Sequence, residues 1–187
     1  QRVFAGHTDL IRSVIFHPDG KRMISCSGDQ SIKIWDRTRQ QGNSPLEGKP
    51  PYSGSVAAFS PDGTKIAKGL RNTIGVWNAL TQKQIIELSG HLDYVISAMF
   101  SPSGKQLVSG AHDGTVCLWD LRTGQALFTF DEHKEPVWSV AFSPDGTLIA
   151  SAGTDGTARV WNVADGRSVS VFRGHTRREL QDLAFSP

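Results

Sequence analysis

The sequence has little net charge and lacks any long apolar stretch. Its 187 residues include 20 Lys and Arg against 18 Asp and Glu, a formal net charge of +2. No overall field therefore marks a binder of nucleic acid or of a membrane surface. The longest uninterrupted apolar runs span only a few residues, which argues against a membrane-spanning helix. Any partner must be recognised by a local site, and protein or peptide is the expected class.

Cysteine is also scarce, with only Cys26 and Cys117 present. The two residues occupy different positions of the repeat described below, so a mutual disulfide is not expected, and further ligands for a metal are missing. A reducing, intracellular setting, with the cytoplasm as the expected compartment, suits this composition. GxSxG, P-loop and GxGxxG motifs are absent from the sequence, so we expect no enzyme and no cofactor.

What the sequence does contain is a repeat. Four tryptophans stand 42 residues apart and are each followed by Asp or Asn: Trp35, Trp77, Trp119 and Trp161. A constant period of this length is typical of a repeat array. Each repeat therefore represents one structural unit, and the best-defined example is the stretch 90–120.

Each unit contains short runs of β-favouring residues separated by turn signals, such as Asp19-Gly20 and Gly28-Asp29 in the first unit. This pattern predicts four antiparallel strands per unit, which we call a, b, c and d. Strand a is small or apolar on both faces, as expected for a strand inside a stack of sheets. After Trp35 the polar segment 37–51 contains three prolines, which predicts an irregular strand d in the first unit.

Four-stranded units with Gly-His near the start and Trp-Asp at the end resemble the WD-repeat family of β-propellers. The resemblance covers essentially the whole chain and implies an all-β propeller. The implied division is an outer strand of a preceding blade at 1–5, blade 1 at 6–48, a degenerate blade 2 at 49–89, blade 3 at 90–130, blade 4 at 131–173 and the start of blade 5 at 174–187. The family favours seven blades. Because the pattern stops in mid-unit at Pro187, we expect a fragment of a larger ring, completed by further chain or by self-association.

The resemblance also assigns the histidines. In this family a His, a Ser or Thr, an Asp and a Trp of one blade form a buried hydrogen-bonded tetrad. The matching positions are His7, Ser25, Asp29 and Trp35 in blade 1; His91, Ser109, Asp113 and Trp119 in blade 3; and His133, Ser151, Asp155 and Trp161 in blade 4. The repeated position favours a structural use of these histidines over a catalytic or metal centre.

Blade 2 departs from the family pattern. Its turn between strands b and c is one residue short, Pro50 and Lys68 occupy the His and Ser places, and the Asp is lost beside Arg71. We therefore predict that this blade is the least rigid, with faster hydrogen exchange over 55–78 than in the equivalent strands of blade 3.

Family members commonly bind proteins through three places per blade: the third and fifth residues after the tetrad His and the residue before the tetrad Asp. Among the residues at these places, the resemblance implies contact positions at Leu10, Arg12, Tyr94, Ile96, His112 and Trp138. Apolar, aromatic and Arg side chains dominate interface energies. Packing between neighbouring blades is the alternative role for Ile96 and Trp138.

The function expected from this pattern is a non-catalytic scaffold that presents its loops to protein or peptide partners. One alternative is a sensor or regulatory module of a larger signalling protein, and a second is a propeller enzyme with an inward-facing cluster of acids or nucleophiles. A basic loop at Arg173, Arg177 and Arg178 raises contact with nucleic acid, but without interleaved aromatic residues a solvated loop is the better interpretation.

Overall fold

The computed structural model describes residues 5–29, 31–36, 56–174 and 182–186. Every regular element within these residues is a β-strand. The strands are β1 Ile11–Phe16, β2 Arg22–Ser27, β3 Ile32–Asp36, β4 Ala57–Phe59, β5 Lys65–Leu70, β6 Thr73–Asn78, β7 Gln84–Ser89, β8 Val95–Phe100, β9 Gln106–Ala111, β10 Val116–Asp120, β11 Ala126–Phe130, β12 Val137–Phe142, β13 Leu148–Gly153, β14 Thr157–Asn162 and β15 Ser168–Arg173.

The strands pair with their sequence neighbours into four antiparallel sheets. Sheet A contains β1–β3, sheet B β4–β7, sheet C β8–β11 and sheet D β12–β15. The all-β prediction and the four-stranded unit are thereby confirmed for sheets B, C and D. Three strands of sheet A are described, while the irregular strand predicted in 37–51 lies outside the described residues.

The turn between the first two strands of each sheet is built from its own side chains. In sheet D the Ser143 hydroxyl accepts the backbone N–H of Leu148 at 2.9 Å, and Asp145 accepts that of Thr147 at 3.0 Å. Gly146 adopts φ 73°, a left-handed conformation that glycine accommodates without a steric penalty. Hydrogen bonds from Ser143 and Thr147 lower the pKa of the Asp145 carboxyl. The sequence SPDG therefore fixes this turn by hydrogen bonding.

The sheets stack face to face, with their first strands adjacent. One apolar core lies between sheets A and B, a second between B and C, and a third between C and D. Trp119 and Trp161, 1% and 0% exposed, occupy the second and third cores. Complete burial of side chains of this size contributes roughly 2–3 kcal/mol each, so each tryptophan joins its own sheet to the preceding one.

A polar contact recurs where first strands meet. The backbone N–H of Val140 donates to the Ser97 hydroxyl at 3.1 Å, and that of Leu183 donates to the Ser139 hydroxyl at 3.3 Å. The segment 182–186 therefore docks on sheet D in the same way as β12 docks on sheet C. This is the place expected for the first strand of a fifth unit.

Candidate protein-binding face

In sheets A, C and D a hydrogen-bonded network lies beneath the loop before the first strand and holds that loop. In sheet C the Nε2 atom of buried His91 lies 2.7 Å from the Ser109 hydroxyl, and Nδ1 lies 3.3 Å from Asp113. The Trp119 indole N–H donates to Ser109 at 2.8 Å. Thr115 is not part of the implied tetrad, but its hydroxyl donates to Asp113 at 2.6 Å and lies 2.9 Å from His91 Nδ1. Its signal in the sequence is a Ser or Thr two residues after each tetrad Asp.

The charges of this network follow from its environment. Burial lowers the pKa of His91, so the imidazole is neutral. Burial raises the pKa of the Asp113 carboxyl, but hydrogen bonds from Thr115 and from the N–H of Leu92 outweigh burial and leave the pKa below its usual range. A neutral imidazole that donates from Nδ1 to the carboxylate has a free acceptor at Nε2, and the Ser109 hydroxyl donates to it. The polar atoms of the His–Ser–Asp–Trp set are therefore used structurally.

Sheet A contains the same network. His7 lies 2.8 Å from Asp29 and 2.6 Å from Ser25. The Trp35 indole donates to Ser25 at 2.7 Å. The backbone N–H of Thr8 donates to Asp29 at 2.9 Å, so the carboxylate also anchors the loop that begins at the histidine.

Sheet D differs from the implied tetrad in one link. His133 lies 2.6 Å from Ser151 and 3.0 Å from Asp155. The indole N–H of Trp161, however, donates to the Glu132 carboxylate at 2.8 Å. Glu132 stands where Gly90 stands in sheet C, and a carboxylate is a stronger acceptor than a hydroxyl. This exchange of Gly for Glu explains why the indole hydrogen bond leaves Ser151.

In sheet B the described residues do not form the network. Lys68, 5% exposed, takes the place of the tetrad serine, and the buried Trp77 Nε1 has no hydrogen-bond partner among the described residues. The six-membered ring of Trp77 lies over Gly75, where an added Cβ would meet it at 2.0 Å. Burial lowers the pKa of Lys68, while the charges of Cys26 and Asp29 in sheet A raise it. The lysine thus faces the preceding sheet.

Three of the implied contact residues meet on one surface. Tyr94, 47% exposed, and the exposed His112 lie edge to face with ring centroids 6.4 Å apart. The His112 ring in turn lies 5.7 Å from that of Trp138, which is 39% exposed. We call Tyr94, His112 and Trp138 the aromatic row. The row crosses the seam between sheets C and D.

The aromatic row is held in a fixed geometry. The Trp138 indole donates to the Thr154 hydroxyl at 2.7 Å, and the His112 backbone N–H donates to the Tyr94 carbonyl at 2.8 Å. Trp138 sits where the pairing of β12 with β13 shifts register, between Val137 and Ser139. A β-bulge changes the direction in which side chains point. The indole of Trp138 lies at this bulge, at the loop end of β12, and is partly exposed.

The other implied contact residues lie apart from the row or below it. Leu10, 71% exposed, and the exposed Arg12 belong to sheet A, and half-buried Ile96 occupies the register shift of β8. Leu92 is 89% exposed beside Tyr94. Leu92 is not among the contact positions that the resemblance implies, because the first of these positions is the third residue after His91. A shallow depression of about 290 Å³, lined by Arg71, Asn72, Leu92, Asp93 and Tyr94, adjoins the row.

We call the surface formed by the loops before the first strands and between the second and third strands the loop face. Within the part of the chain that the structure describes, no group of three or more His, Cys, Asp or Glu could hold a metal ion. The same residues include no helix of sufficient length and apolarity to span a membrane. The tetrad residues of sheets A, C and D hydrogen-bond within networks below this face, and the side chains exposed on the face include the aromatic row and Leu92.

The stacked four-stranded sheets, each with a Trp at the end of its third strand, define a protein of propeller blades. The model of the WD domain, G-beta repeat family matches residues 1–36, 82–120 and 124–162. The chain therefore belongs to this WD-repeat family. The matches leave out 37–81, which includes the first three strands of sheet B, the sheet without the tetrad network.

Individual relatives share the repeat at moderate identity. The chain is 34% identical over 110 residues to the Lissencephaly-1 homolog of Caenorhabditis briggsae, covering 57% of this chain and 27% of that protein. It is 32% identical over 111 residues to small ribosomal subunit protein RACK1y of Oryza sativa subsp. japonica, covering 58% of this chain and 32% of the relative. The solved structure of U3-55K matches with a TM-score of 0.83 at 28% identity over 94% of this chain and 55% of that one. The chain thus spans about a third or less of these curated relatives' length.

Proposed function

We propose that this protein is a non-catalytic interaction scaffold whose loop face binds a protein or peptide partner. Proteins with these repeats are typically protein-interaction scaffolds. The observation that carries the proposal for this chain is the aromatic row, in which Tyr94 and Trp138 flank the exposed His112 across the seam of two blades. An intracellular setting belongs to the same proposal.

The row has the properties of a binding hot spot. Tyr and Trp are enriched where interface energy is concentrated, since they bury a large surface at a small cost in side-chain entropy. The Trp138 indole is already oriented by its hydrogen bond to Thr154, so little conformational freedom is lost on binding. The exposed Leu92 adds apolar area beside Tyr94.

The rigidity of the underlying sheets supports the same function. The networks at His91 and His133 hold the loops that carry Tyr94 and Trp138, because Asp113 accepts the N–H of Leu92 at 2.7 Å and Asp155 accepts that of Lys134 at 3.4 Å. Loops positioned by a rigid scaffold are common sites of binding. In this proposal the histidines and aspartates serve the face by fixing its loops.

Separate Tyr94→Ala and Trp138→Ala variants test the proposal. Each is expected to weaken binding of the partners captured from a cell lysate about thirtyfold, the effect of losing a hot spot of about 2 kcal/mol, at an unchanged melting temperature. The matched control is Leu127→Ala, which removes a 44% exposed apolar side chain from β11. The proposal is rejected when both aromatic variants keep every partner that the wild type captures.

A further inference from the structure

The opposite side of the molecule contains a charged cavity. We call this side the turn face; it is formed by the turns between first and second strands and between third and fourth strands. A cavity of about 720 Å³ opens there at the seam of sheets B and C. Its lining includes Lys65, Lys105 and Arg122, with Asp120 as the carboxylate and Ser103 as a hydroxyl. Three cations from two sheets thus border one concavity.

The next seam along the chain provides an internal comparison. A cavity of about 510 Å³ lies at the same place between sheets C and D, and the repeat period aligns the two linings. Lys65, Lys105 and Arg122 correspond there to Gln106, Thr147 and Ala164, all lining residues without charge. Stacking of the sheets creates both cavities, but only the lining of the first one carries the cationic set.

The turn of sheet C has also lost its acidic residue. Sheets A, B and D have Asp19, Asp62 and Asp145 at the third position of this turn, whereas sheet C has Ser103. The Ser103 hydroxyl takes up part of the turn role, since it lies 3.1 Å from the Ser101 hydroxyl. The exchange removes a negative charge from the cavity that gathers the cations.

The carboxylates nearby leave the cations available. Asp120 accepts the backbone N–H groups of Arg122 and Thr123 at 2.7 and 3.2 Å. Its contact with the Arg122 guanidinium is 4.0 Å long, as is that between Lys65 and Asp62. Exposed ion pairs of this length contribute little. A dianion that entered the cavity would therefore meet Lys105 together with Lys65 and Arg122, whose own ion pairs are long.

We propose that this cavity binds a phosphorylated side chain of a protein partner, independently of the loop face. A phosphate monoester carries close to two negative charges and three acceptor oxygens, which suit one guanidinium, two ammonium groups and a hydroxyl. A concave volume of this size accommodates a single side chain. Nucleic-acid backbone or a membrane surface would require a broader cationic face, whereas the equivalent cavity one sheet away carries no cation.

The experiment is a titration followed by amide NMR shifts at constant ionic strength, with the peptide Gly-Gly-phosphoserine-Gly-Gly and its unphosphorylated form as probes. The phosphopeptide is expected to shift the amides of Gly104, Lys105 and Leu121 saturably. The equivalent amides of Gly146, Thr147 and Val163 are expected to stay in place. Inorganic phosphate at higher concentration should shift the same three amides.

Variants drawn from the other repeats sharpen the test. Lys105→Thr and Arg122→Ala copy the residues of the neutral cavity and should each weaken phosphopeptide binding about tenfold. Ser103→Asp restores the acid of the other turns and should weaken it by a similar factor. The control is Arg167→Ala on the same face of sheet D, because its side chain is 84% exposed, as is that of Arg122.

Three results would overturn the proposal. The first is an equal response to both peptides, and the second is an equal loss of affinity in Arg167→Ala and Arg122→Ala, which would indicate unspecific surface charge. The third is binding to phosphatidylserine vesicles without any response to the phosphopeptide.

Discussion

The Trp161 indole donates to the Glu132 carboxylate at 2.8 Å, whereas the equivalent indole of Trp119 donates to the Ser109 hydroxyl at 2.8 Å. Both tryptophans are buried, and each is the next-to-last residue of the third strand of its sheet. The same residue in the same place therefore uses two different acceptors. As a result, the Ser109 hydroxyl hydrogen-bonds to two side chains of its tetrad and the Ser151 hydroxyl to one. The two serines should therefore contribute unequally to the free energy of unfolding.

We predict that Ser109→Ala destabilises the protein more than Ser151→Ala. The first change leaves both His91 Nε2 and the Trp119 N–H without their partner, while the second affects only His133. Each unsatisfied buried group costs about 1–2 kcal/mol, so the expected losses are about 2–4 and 1–2 kcal/mol. Urea unfolding of both variants measures them. In a Glu132→Gly background the difference between the two losses of unfolding free energy should become smaller. Equal losses of unfolding free energy for Ser109→Ala and Ser151→Ala in the wild-type background would contradict the prediction.

Lys68 is predicted to make stability rise with pH. Its pKa in the folded protein lies below the usual 10.5, so between the two pKa values the unfolded state binds more protons than the folded state. Stability therefore increases as pH rises through this window. Lys68→Met should remove that increase and stabilise the protein by about 1 kcal/mol at pH 7. Urea unfolding at pH 7 and pH 10 tests both effects, and an unchanged slope in the variant would refute the assignment.

The histidines predict a loss of stability in mild acid. Burial lowers the pKa of both His91 and His133 below 6.5. Below pH 6.5 the unfolded chain takes up protons that the folded protein does not, so stability falls as pH falls, by up to about 1.4 kcal/mol per pH unit for each residue. Unfolding curves at pH 7.5 and 5.5 should show this fall. A double His91→Gln, His133→Gln variant should be less stable than the wild type, and its free energy of unfolding should vary less between these two pH values. The control variant Gln125→Ala should keep the pH dependence of the wild type.

Sheet B is predicted to exchange its amide hydrogens faster than sheet C. It lacks the tetrad network, and the buried Trp77 N–H has no partner among the described residues. Local opening should therefore cost less free energy in β5 and β6 than in β9 and β10. Hydrogen exchange followed by mass spectrometry resolves the two pairs of strands. Comparable protection in both sheets would show that apolar packing alone fixes the rigidity of a blade.

The sequence was sufficient to predict the strands and the sheets, since both depend on patterns inside one repeat. The 42-residue spacing of the tryptophans and the SPDG turns locate each strand without any knowledge of its neighbours. The positions of His91, Ser109 and Asp113 follow from the family resemblance for the same reason, because a single sheet brings these residues together.

Contacts across the seams could not be predicted in this way. Three features depend on how one sheet is rotated against the next. They are the contact between the His112 and Trp138 rings, the orientation of the Lys68 side chain toward sheet A, and the presence of Lys65 and Arg122 in the lining of one cavity. A repeat alignment compares equivalent positions and contains no information on which unlike positions meet. Glu132 was missed for a related reason, as it stands at a place where the repeat has glycine and no side chain to compare.

The hydroxyls of Ser97 and Ser139 each accept a backbone N–H from the first strand of the next unit, 43 residues later at Val140 and 44 residues later at Leu183. Each such contact involves only one unit and the unit that follows it, so its geometry does not depend on how many units come before. A whole repeat inserted by duplication would therefore form the same contact on both sides without shifting the register of older units. An array built of such contacts can therefore grow by one unit at a time, and a single unit can differ from the others, as it does at Glu132 and at Lys68.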